Sequence, residues 1–339
     1  MSAMTATISD TGSVTNTKST EGNRLRVAGK LWQAGGPLVI FIAMFAVVAI
    51  LTPAFIGSGG ITIVAASAAP ILLVALGQAF VLNIGSIDLS NAAITVLGAI
   101  LLAMLLGPLA IAAPIVVLVL VTLFGAVNGF LLAYTQVPSF ALTLGTLGIF
   151  KAASLVVSGA TTVYVSQNKE VVSPLYTTQL AGLPLTFVLG VVVAAIAYLF
   201  LRFTRAGMGM TAIGKNESGA IFSAVRTRAL KITAFALSGF MAGLAGMTII
   251  AQAGSASAMG LGSDLLLPAI AAAIVGGTSI SGGVTNPLNV ILGALTIALV
   301  PIATAAIGVA AEAQNLVYGV VIIVVVALTL TRSRTAIVK

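Results

Sequence analysis

The sequence predicts an all-α, polytopic membrane protein with about ten transmembrane helices, one of which is short and either broken or re-entrant. Hydrophobic residues make up 59% of the chain and charged residues only 6%, whereas a soluble domain carries about 25% charged residues. Runs of about 20 apolar residues recur along the chain, and each can cross a hydrocarbon core about 30 Å thick. The alternating ten-residue strands of an outer-membrane barrel are absent from the sequence.

Ten apolar segments account for most of the chain and form one membrane domain over residues 36–331. The preceding residues 1–35 are rich in Ser and Thr and predict a disordered cytoplasmic tail. They do not predict a signal peptide, because the first apolar run is full-length. Residues 332–339 form a short basic tail. The predicted spans are 37–56, 61–82, 89–106, 109–133, 140–158, 183–203, 230–251, 265–278, 284–307 and 314–330.

The positive charge of the chain, +8 overall, is a topology signal. Of the 15 Lys and Arg residues, four precede the first span, six lie in the segment 202–231 and three end the chain. The positive-inside rule places all three groups in the cytoplasm. Six spans before the basic segment 202–231 and four after it satisfy that rule. The polar loop 159–182 is then external, either as a docking surface for an extracytoplasmic partner or as a solvated linker.

Two charged residues lie beside or within the predicted spans. Asp88, in the segment NIGSIDLS that begins at Asn83, either caps the third helix or lines the translocation pathway, and the two roles are compatible. Lys151 lies well inside the fifth span, where a lysine costs roughly 2.5–3.5 kcal/mol. Its ammonium group should therefore face protein or water, or snorkel to the interface.

The eighth span, 265–278, is too short for an ordinary crossing. It has only about a dozen apolar residues, includes Pro268, and at about 1.5 Å per residue falls short of the hydrocarbon core. Such a helix is tolerated where protein or a water-filled cavity covers its exposed backbone. Broken helices often mark transport pathways. The pathway residues predicted here are Asp264, Gly276, Gly277, Thr278 and Ser279.

The basic segment 202–231 contains AIGKNESGAIFSAV, which predicts a short helix from Glu217 to Val225. Small and weakly apolar side chains would form one face of that helix. Such a face suits a protein groove better than a lipid surface, although an interfacial helix is the alternative. The predicted docking residues are Gly214, Lys215, Asn216, Glu217, Ala220, Ile221 and Ala224.

Several classes of function are excluded by what the sequence lacks. Without a single Cys or His there is no thiolate, haem–histidine or His-based zinc site. No phosphate-loop motif is present, so the chain has no usual means of hydrolysing ATP, and no catalytic constellation indicates an enzyme. We predict no bound cofactor, and no nucleic-acid binding, because no aromatic-interleaved basic face accompanies the charge.

Four motifs resemble the ribose/xylose-type permeases of ABC transporters, the membrane subunits of bacterial monosaccharide importers. GSIDLS is similar to the family's GGIDLS, and GAVNGFLLAYTQVPSFALTLGTLGIFK (125–151) to its GxxNGxL…PxFIxTLGTxxIxRG. AIGKNESGAIFSAV resembles AIGGNxxAAxLSGI, and LLLPAIAAAIVGGTSISGG resembles LxAIAAxVLGGTSLxGG. The resemblance covers most of residues 36–330. Departures include Ser86 and Lys215 for glycines, Lys151 for arginine, and the extra Pro268.

The resemblance implies a subunit of the bacterial cytoplasmic membrane that pairs with a second, identical or paralogous permease. It also implies a cytoplasmic ATPase that uses ATP and Mg, and a periplasmic or lipid-anchored binding protein that delivers a monosaccharide or related polyol. Residues 212–228 would be the segment coupled to the ATPase. The expected pathway consists of Asn83, Asp88, Asn128, Lys151, Asp264 and the residues 276–279. The alternatives are an ion-coupled secondary transporter or facilitator, and an ABC permease for nucleosides or branched-chain amino acids.

Overall fold

A computed structural model describes residues 35–135, 137–259, 264–310 and 313–329. Within them, ten helices match the ten predicted spans one to one. The predicted tails lie outside the described residues, except for Gly35, which begins α1. The ten helices are α1 (Gly35–Leu51), α2 (Ser58–Asn83), α3 (Asn91–Leu109), α4 (Ala113–Thr135), α5 (Ser139–Ser158), α7 (Leu185–Phe203), α10 (Thr227–Ala253), α11 (Leu266–Val275), α12 (Pro287–Ala306) and α13 (Gln314–Thr329).

Six helical segments of the described chain are long and apolar enough to cross a membrane. One of them, the 45-residue segment Asn91–Thr135, consists of α3 and α4. It folds back at Ala110, whose φ is 44°, and Gly98 of α3 consequently lies against Val121 of α4. Three shorter apolar helices, α1, α11 and α13, complete the set. The predicted all-α membrane fold is confirmed.

Short elements join these helices. Two helices lie between α7 and α10, namely α8 (Arg205–Lys215) and α9 (Glu217–Phe222). The connection between α5 and α7 holds the one-turn helix α6 (Pro174–Thr177) and the strands β1 (Val163–Tyr164), β2 (Gln179–Leu180) and β3 (Leu183–Pro184). Strand β1 pairs antiparallel with β4 (Ser255–Ala256), and β2 pairs with β3. Single 3₁₀ turns occupy Pro53–Ile56, Ala110–Ala112 and Lys169–Val171.

Helices α2 and α10 form the centre of the bundle, since α10 packs against α2, α3 and α4 while α2 also packs against α7, α11 and α12. Small residues bring α4 and α10 together. A Cβ on Gly125 would lie 3.0 Å from the backbone nitrogen of Gly239, so no larger side chain fits at this crossing. The outer face of α4 instead carries exposed apolar side chains at helical spacing, including Ile115, Val119 and Leu123, as a lipid-facing surface requires.

The connections between the helices group at two opposite ends of the bundle. At one end, the Asn168 amide donates to the carbonyl oxygen of Leu106 at 2.8 Å, and the N–H of Val165 donates to the carbonyl of Gly254 at 2.9 Å. At the other end, the N–H of Gly283 donates to the carbonyl of Asn83 at 2.9 Å. We call the end that contains α8, α9 and Asn83 the coupling end, and the end that contains residues 159–184 the distal end.

Candidate functional site

The coupling end presents α8 and α9 as a helical corner. Thr204 caps α8 by accepting from the N–H of Gly207 at 3.0 Å, and Asn216 caps α9 by accepting from the N–H of Gly219 at 3.0 Å. The sequence prediction contained one short helix here and missed α8, whose glycines are poor helix formers. The predicted docking residues Gly214, Lys215 and Asn216 therefore end α8 and cap α9.

Helix α9 is shorter than predicted and presents a different apolar surface. It ends at Phe222, and Ala224 adopts a left-handed φ of 57°, so the predicted face from Ala220 to Val225 is divided. Ala220 is buried against the bundle, whereas Ile221 is 55% and Phe222 is 92% exposed. Phe222 was not among the predicted docking residues. Its ring is the one aromatic group of α9, and it lies beside the exposed side chain of Ile221.

An ion pair fastens α9 to the bundle. The Nζ atom of Lys231, in the first turn and a half of α10, lies 2.6 Å from a carboxylate oxygen of Glu217, the first residue of α9. The pair joins the exposed corner to the central helix of the fold.

A cavity of about 270 Å³ lies between α3, α5, α11 and α13. It brings together two predicted pathway residues of opposite charge, Lys151 of α5 and Asp264, which precedes α11. Ser154 and Asn315 also line it, and neither was predicted from the sequence. The remaining walls are apolar or small: Ala92, Ala93, Val96, Leu147, Ala258, Leu266 and Leu267. A few polar groups set among apolar walls are typical of a small-molecule site, and the volume suits a small solute.

The charged side chains of this cavity, Lys151 and Asp264, can form hydrogen bonds with a bound solute. In the described part of the chain, the side chains of Lys151 and Asp264 make no ion pair or hydrogen bond. An ammonium group is a donor and a carboxylate an acceptor, so together they can bind a solute that both accepts and donates. Ser154 already donates to the carbonyl of Phe150 in its own helix at 2.8 Å, and its oxygen can still accept.

Asp88 lies in a different polar region, which we call the Asp88 cluster (Asp88, Ser90, Asn91, Asn128 and Ser238). The carboxylate is fully buried, and one oxygen accepts from the backbone N–H of Ser90 at 3.0 Å and from its hydroxyl at 2.6 Å. The other oxygen accepts from the hydroxyl of Ser238 in α10 at 2.8 Å. Because Ser90 directly precedes α3, the carboxylate holds the residue at the start of that helix.

Two amide side chains complete the Asp88 cluster. An ionised carboxylate only accepts hydrogen bonds, so each serine uses its one proton on Asp88 and must itself accept. Asn128 of α4 donates to Ser90 Oγ at 2.8 Å, and Asn91 of α3 donates to Ser238 Oγ. Two chains of donors therefore converge on Asp88 from α3, α4 and α10.

The other predicted pathway residues lie at the coupling end. The Asn83 amide donates to Thr211 Oγ1 of α8 at 3.1 Å. Residues 276–279 form a turn after α11, held by a hydrogen bond of 2.9 Å between Thr278 Oγ1 and Thr285 Oγ1 and by another of 2.8 Å between Ser279 Oγ and Ser281 Oγ. The structure thus divides the predicted pathway among the cavity, the Asp88 cluster and this turn.

Pro268, by which the eighth span departs from the family motif, is accommodated because of where the helix begins. Helix α11 starts at Leu266, so Pro268 falls in its first turn, where the backbone N–H of a helix has no intrahelical partner. The proline is accommodated without a break. The short span is one continuous helix of 10 residues, about 15 Å long at 1.5 Å per residue.

Comparison with known proteins places these features in a family. Residues 60–326 match the family model described as branched-chain amino acid transport system / permease component. The chain is 30% identical over 293 residues to a ribose import permease protein of Haemophilus influenzae, covering 85% of this chain and 90% of that protein. It is 32% identical over 302 residues to a D-allose transport system permease protein of Escherichia coli, covering 88% and 91%.

A third relative is named for a solute other than ribose or allose. The chain is 33% identical over 261 residues to an autoinducer 2 import system permease protein of Escherichia coli, covering 76% of this chain and 75% of that protein. No solved structure matches the chain significantly.

Proposed function

The chain belongs to this family of permease components, as the motif resemblance predicted, and from that premise we propose that it translocates a monosaccharide or related polyol as the membrane subunit of an ABC importer. The chain is a multi-pass membrane protein and a non-catalytic transport subunit. In the proposed assembly a separate ATPase supplies the energy from ATP and Mg, and this chain binds no cofactor. A second permease subunit and an extracytoplasmic binding protein complete the transporter.

The observation that carries the proposal is the cavity that contains Lys151 and Asp264. Sugar hydroxyls both donate and accept, so a carboxylate and an ammonium on neighbouring walls can bind one solute together. The apolar walls suit the C–H faces of a sugar ring. Two relatives are named for monosaccharides, ribose and D-allose, which favours this solute class over nucleosides and branched-chain amino acids.

The orientation follows from the basic segment 202–231. Its six Lys and Arg residues favour a cytoplasmic location for the coupling end, where the ATPase binds α9. Residues 159–184, joined to α3 by Asn168 and to α10 by Val165, would then receive the binding protein on the extracytoplasmic side. Both termini are cytoplasmic in this arrangement, and the membrane is the bacterial inner membrane.

Reconstitution tests the function directly. The permease is placed in vesicles with the ATPase and binding protein encoded beside it, and uptake of labelled ribose and allose is measured. We expect uptake only when all components and ATP are present, and no loss of uptake when a protonophore is added at constant ATP. Uptake by this subunit alone, or uptake that collapses with the ion gradient, would show that it is a facilitator or a secondary transporter.

Phe222→Ala tests whether α9 is the ATPase docking element. The ring is almost fully exposed, so its removal should leave the fold intact. A buried aromatic contact at the centre of an interface contributes about 2 kcal/mol or more, so we expect at least roughly thirtyfold weaker ATPase binding. Binding of the purified ATPase to permease in nanodiscs gives the readout. Ser223→Ala, one residue on and also exposed, is the matched control. Equal ATPase affinity of the two variants would contradict the assignment.

A further inference from the structure

Three segments of the coupling end meet through backbone contacts that we call the glycine junction (Asn83, Gly85, Gly214, Gly282 and Gly283). A Cβ on Gly214, at the end of α8, would overlap the backbone oxygen of Asn83 and the backbone nitrogen of Gly283. A Cβ on Gly282 would lie 2.9 Å from the Cα atoms of both Gly214 and Gly85. Real Cβ atoms do not approach backbone so closely, so the three segments touch main chain to main chain.

Hydrogen bonds hold the same junction together. The N–H of Gly283 donates to the carbonyl of Asn83 at 2.9 Å, and the Asn83 amide donates to Thr211 Oγ1 at 3.1 Å. Gly282 and Gly283 have φ values of +90° and +72°, a region that favours glycine. The turn after α11 is therefore fixed both to the end of α2 and to α8, which leads directly into α9.

Helix α11 connects the glycine junction to the cavity. Its carboxyl end enters the turn that contains Gly282 and Gly283, and Leu266 and Leu267 at its amino end line the cavity beside Asp264. At its carboxyl end α11 is pressed against α12, where a Cβ on Gly276, the residue that follows α11, would lie 2.7 Å from the Cα of Val290. A short helix in such contact moves as a unit, because close-packed interiors transmit displacement and do not absorb it.

We propose that Gly214 and Gly283 are positioning residues of the transport cycle, which act through α11 on the wall of the cavity that carries Asp264. When the ATPase displaces α9, the junction passes that displacement to the turn after α11, and α11 shifts Asp264 and Leu267 relative to Lys151. Contact between backbones makes this transfer direct, since Gly214 of α8 meets the backbone of the turn, and the side chain of Lys215 packs beside Gly283. The inference rests on the proposed function, because it requires an ATPase that acts on α9.

A single introduced cysteine can report the movement, because the chain contains none. Leu267, whose side chain is about one-third exposed, is replaced by cysteine. The Leu267→Cys variant is then labelled with a maleimide in the reconstituted complex. Labelling is compared without nucleotide and with a non-hydrolysable ATP analogue. We expect the labelling rate to change roughly tenfold, as a strong shift in conformer populations produces. Gly214→Ala should abolish the change while ATP hydrolysis continues, so that the ATP consumed per solute rises.

Gly145→Ala is the matched control, since a Cβ on this glycine of α5 meets nothing within 4 Å. It should retain both the labelling change and transport. If Gly214→Ala prevents assembly, Thr211→Val removes the tie to Asn83 without adding volume and should reduce the labelling change. A nucleotide-dependent change that persists at full size in an assembled Gly214→Ala or Thr211→Val complex overturns the inference. Absence of both transport and labelling change in the parent complex would instead refute the proposed function.

Discussion

Two polar regions of this membrane protein, the Asp88 cluster and the cavity around Lys151 and Asp264, use their charged groups in opposite ways. Asp88 is fully buried, and three hydrogen bonds from Ser90 and Ser238 satisfy its two oxygens. Asp264 is exposed to the cavity, and in the described ranges its carboxylate has no protein partner. The first region joins helices to one another, whereas the second leaves its charges available to a solute.

The difference shows that an acidic residue in a membrane domain is not by itself evidence of a pathway. A buried charge whose hydrogen bonds are all internal stabilises the packing around it, because leaving those donors unpaired would cost about 1–3 kcal/mol each. A charge that lines an open cavity makes no such contribution. Substitutions should therefore separate the two regions, with stability lost in one and transport lost in the other.

The largest effect is expected for Asp88→Ala. This change leaves three buried donors of Ser90 and Ser238 unpaired, so we expect a loss of at least about 3 kcal/mol in stability. Thermal unfolding of the detergent-purified protein, together with its yield from membranes, provides the measurement. Asp264→Ala is the matched control and should unfold as the parent does. An Asp88→Ala protein of parental stability would remove the distinction between the two regions.

Lys151→Met should have the opposite effect to Asp88→Ala, with transport lost and stability retained. Loss of a charged hydrogen bond to the solute weakens binding by about 1.5–3 kcal/mol, so uptake at low solute concentration should fall roughly 10- to 100-fold. The thermal unfolding temperature should not fall. Lys151→Arg keeps the charge and should transport within a few-fold of the parent. Parental uptake by Lys151→Met would show that the cavity lies off the translocation pathway.

The smallest effects on stability are expected for two serine-to-alanine substitutions, one in each polar region. Ser238→Ala removes one donor to Asp88 and the acceptor of Asn91, so it should cost about 1–2 kcal/mol in stability. Ser154→Ala removes only a hydroxyl that bonds to its own helix, and should change stability by less than about 0.5 kcal/mol. Unfolding curves of the two variants, recorded side by side, measure the difference. Equal losses of stability in the two variants would indicate that Ser238 in the Asp88 cluster contributes no more than a serine that bonds only to its own helix.

The fold could be predicted from the sequence to a large extent, because apolar runs of the right length have few alternatives in a membrane. All ten spans are present, and even the short eighth span appears as the ten-residue helix α11. Helix α8 was missed because Gly207 and Gly209 lower its intrinsic propensity, and contacts with the preceding and following helices overcome that cost.

The site could be predicted only in its individual residues. Asp88, Lys151 and Asp264 were predicted as site residues because charges are rare within and beside apolar spans. Their partners could not be identified, since Ser238 is one serine among many and lies 150 residues from Asp88. The glycines after α11 include three with positive φ values, Gly277, Gly282 and Gly283, as tight turns require. Their contact with Gly214 depends on tertiary packing that no local pattern encodes.

The separation between Asp88 and Ser238 also sets an order of events during synthesis. The ribosome must add 150 residues after Asp88 before Ser238 exists, which at about 5–20 residues per second takes on the order of ten seconds. The hydroxyl groups of Ser90 and Ser238 both donate to Asp88 in the folded protein, but during that interval only Ser90 has been made. Until α10 is made, one carboxylate oxygen of Asp88 lacks its Ser238 donor, so another donor such as water has to take that place.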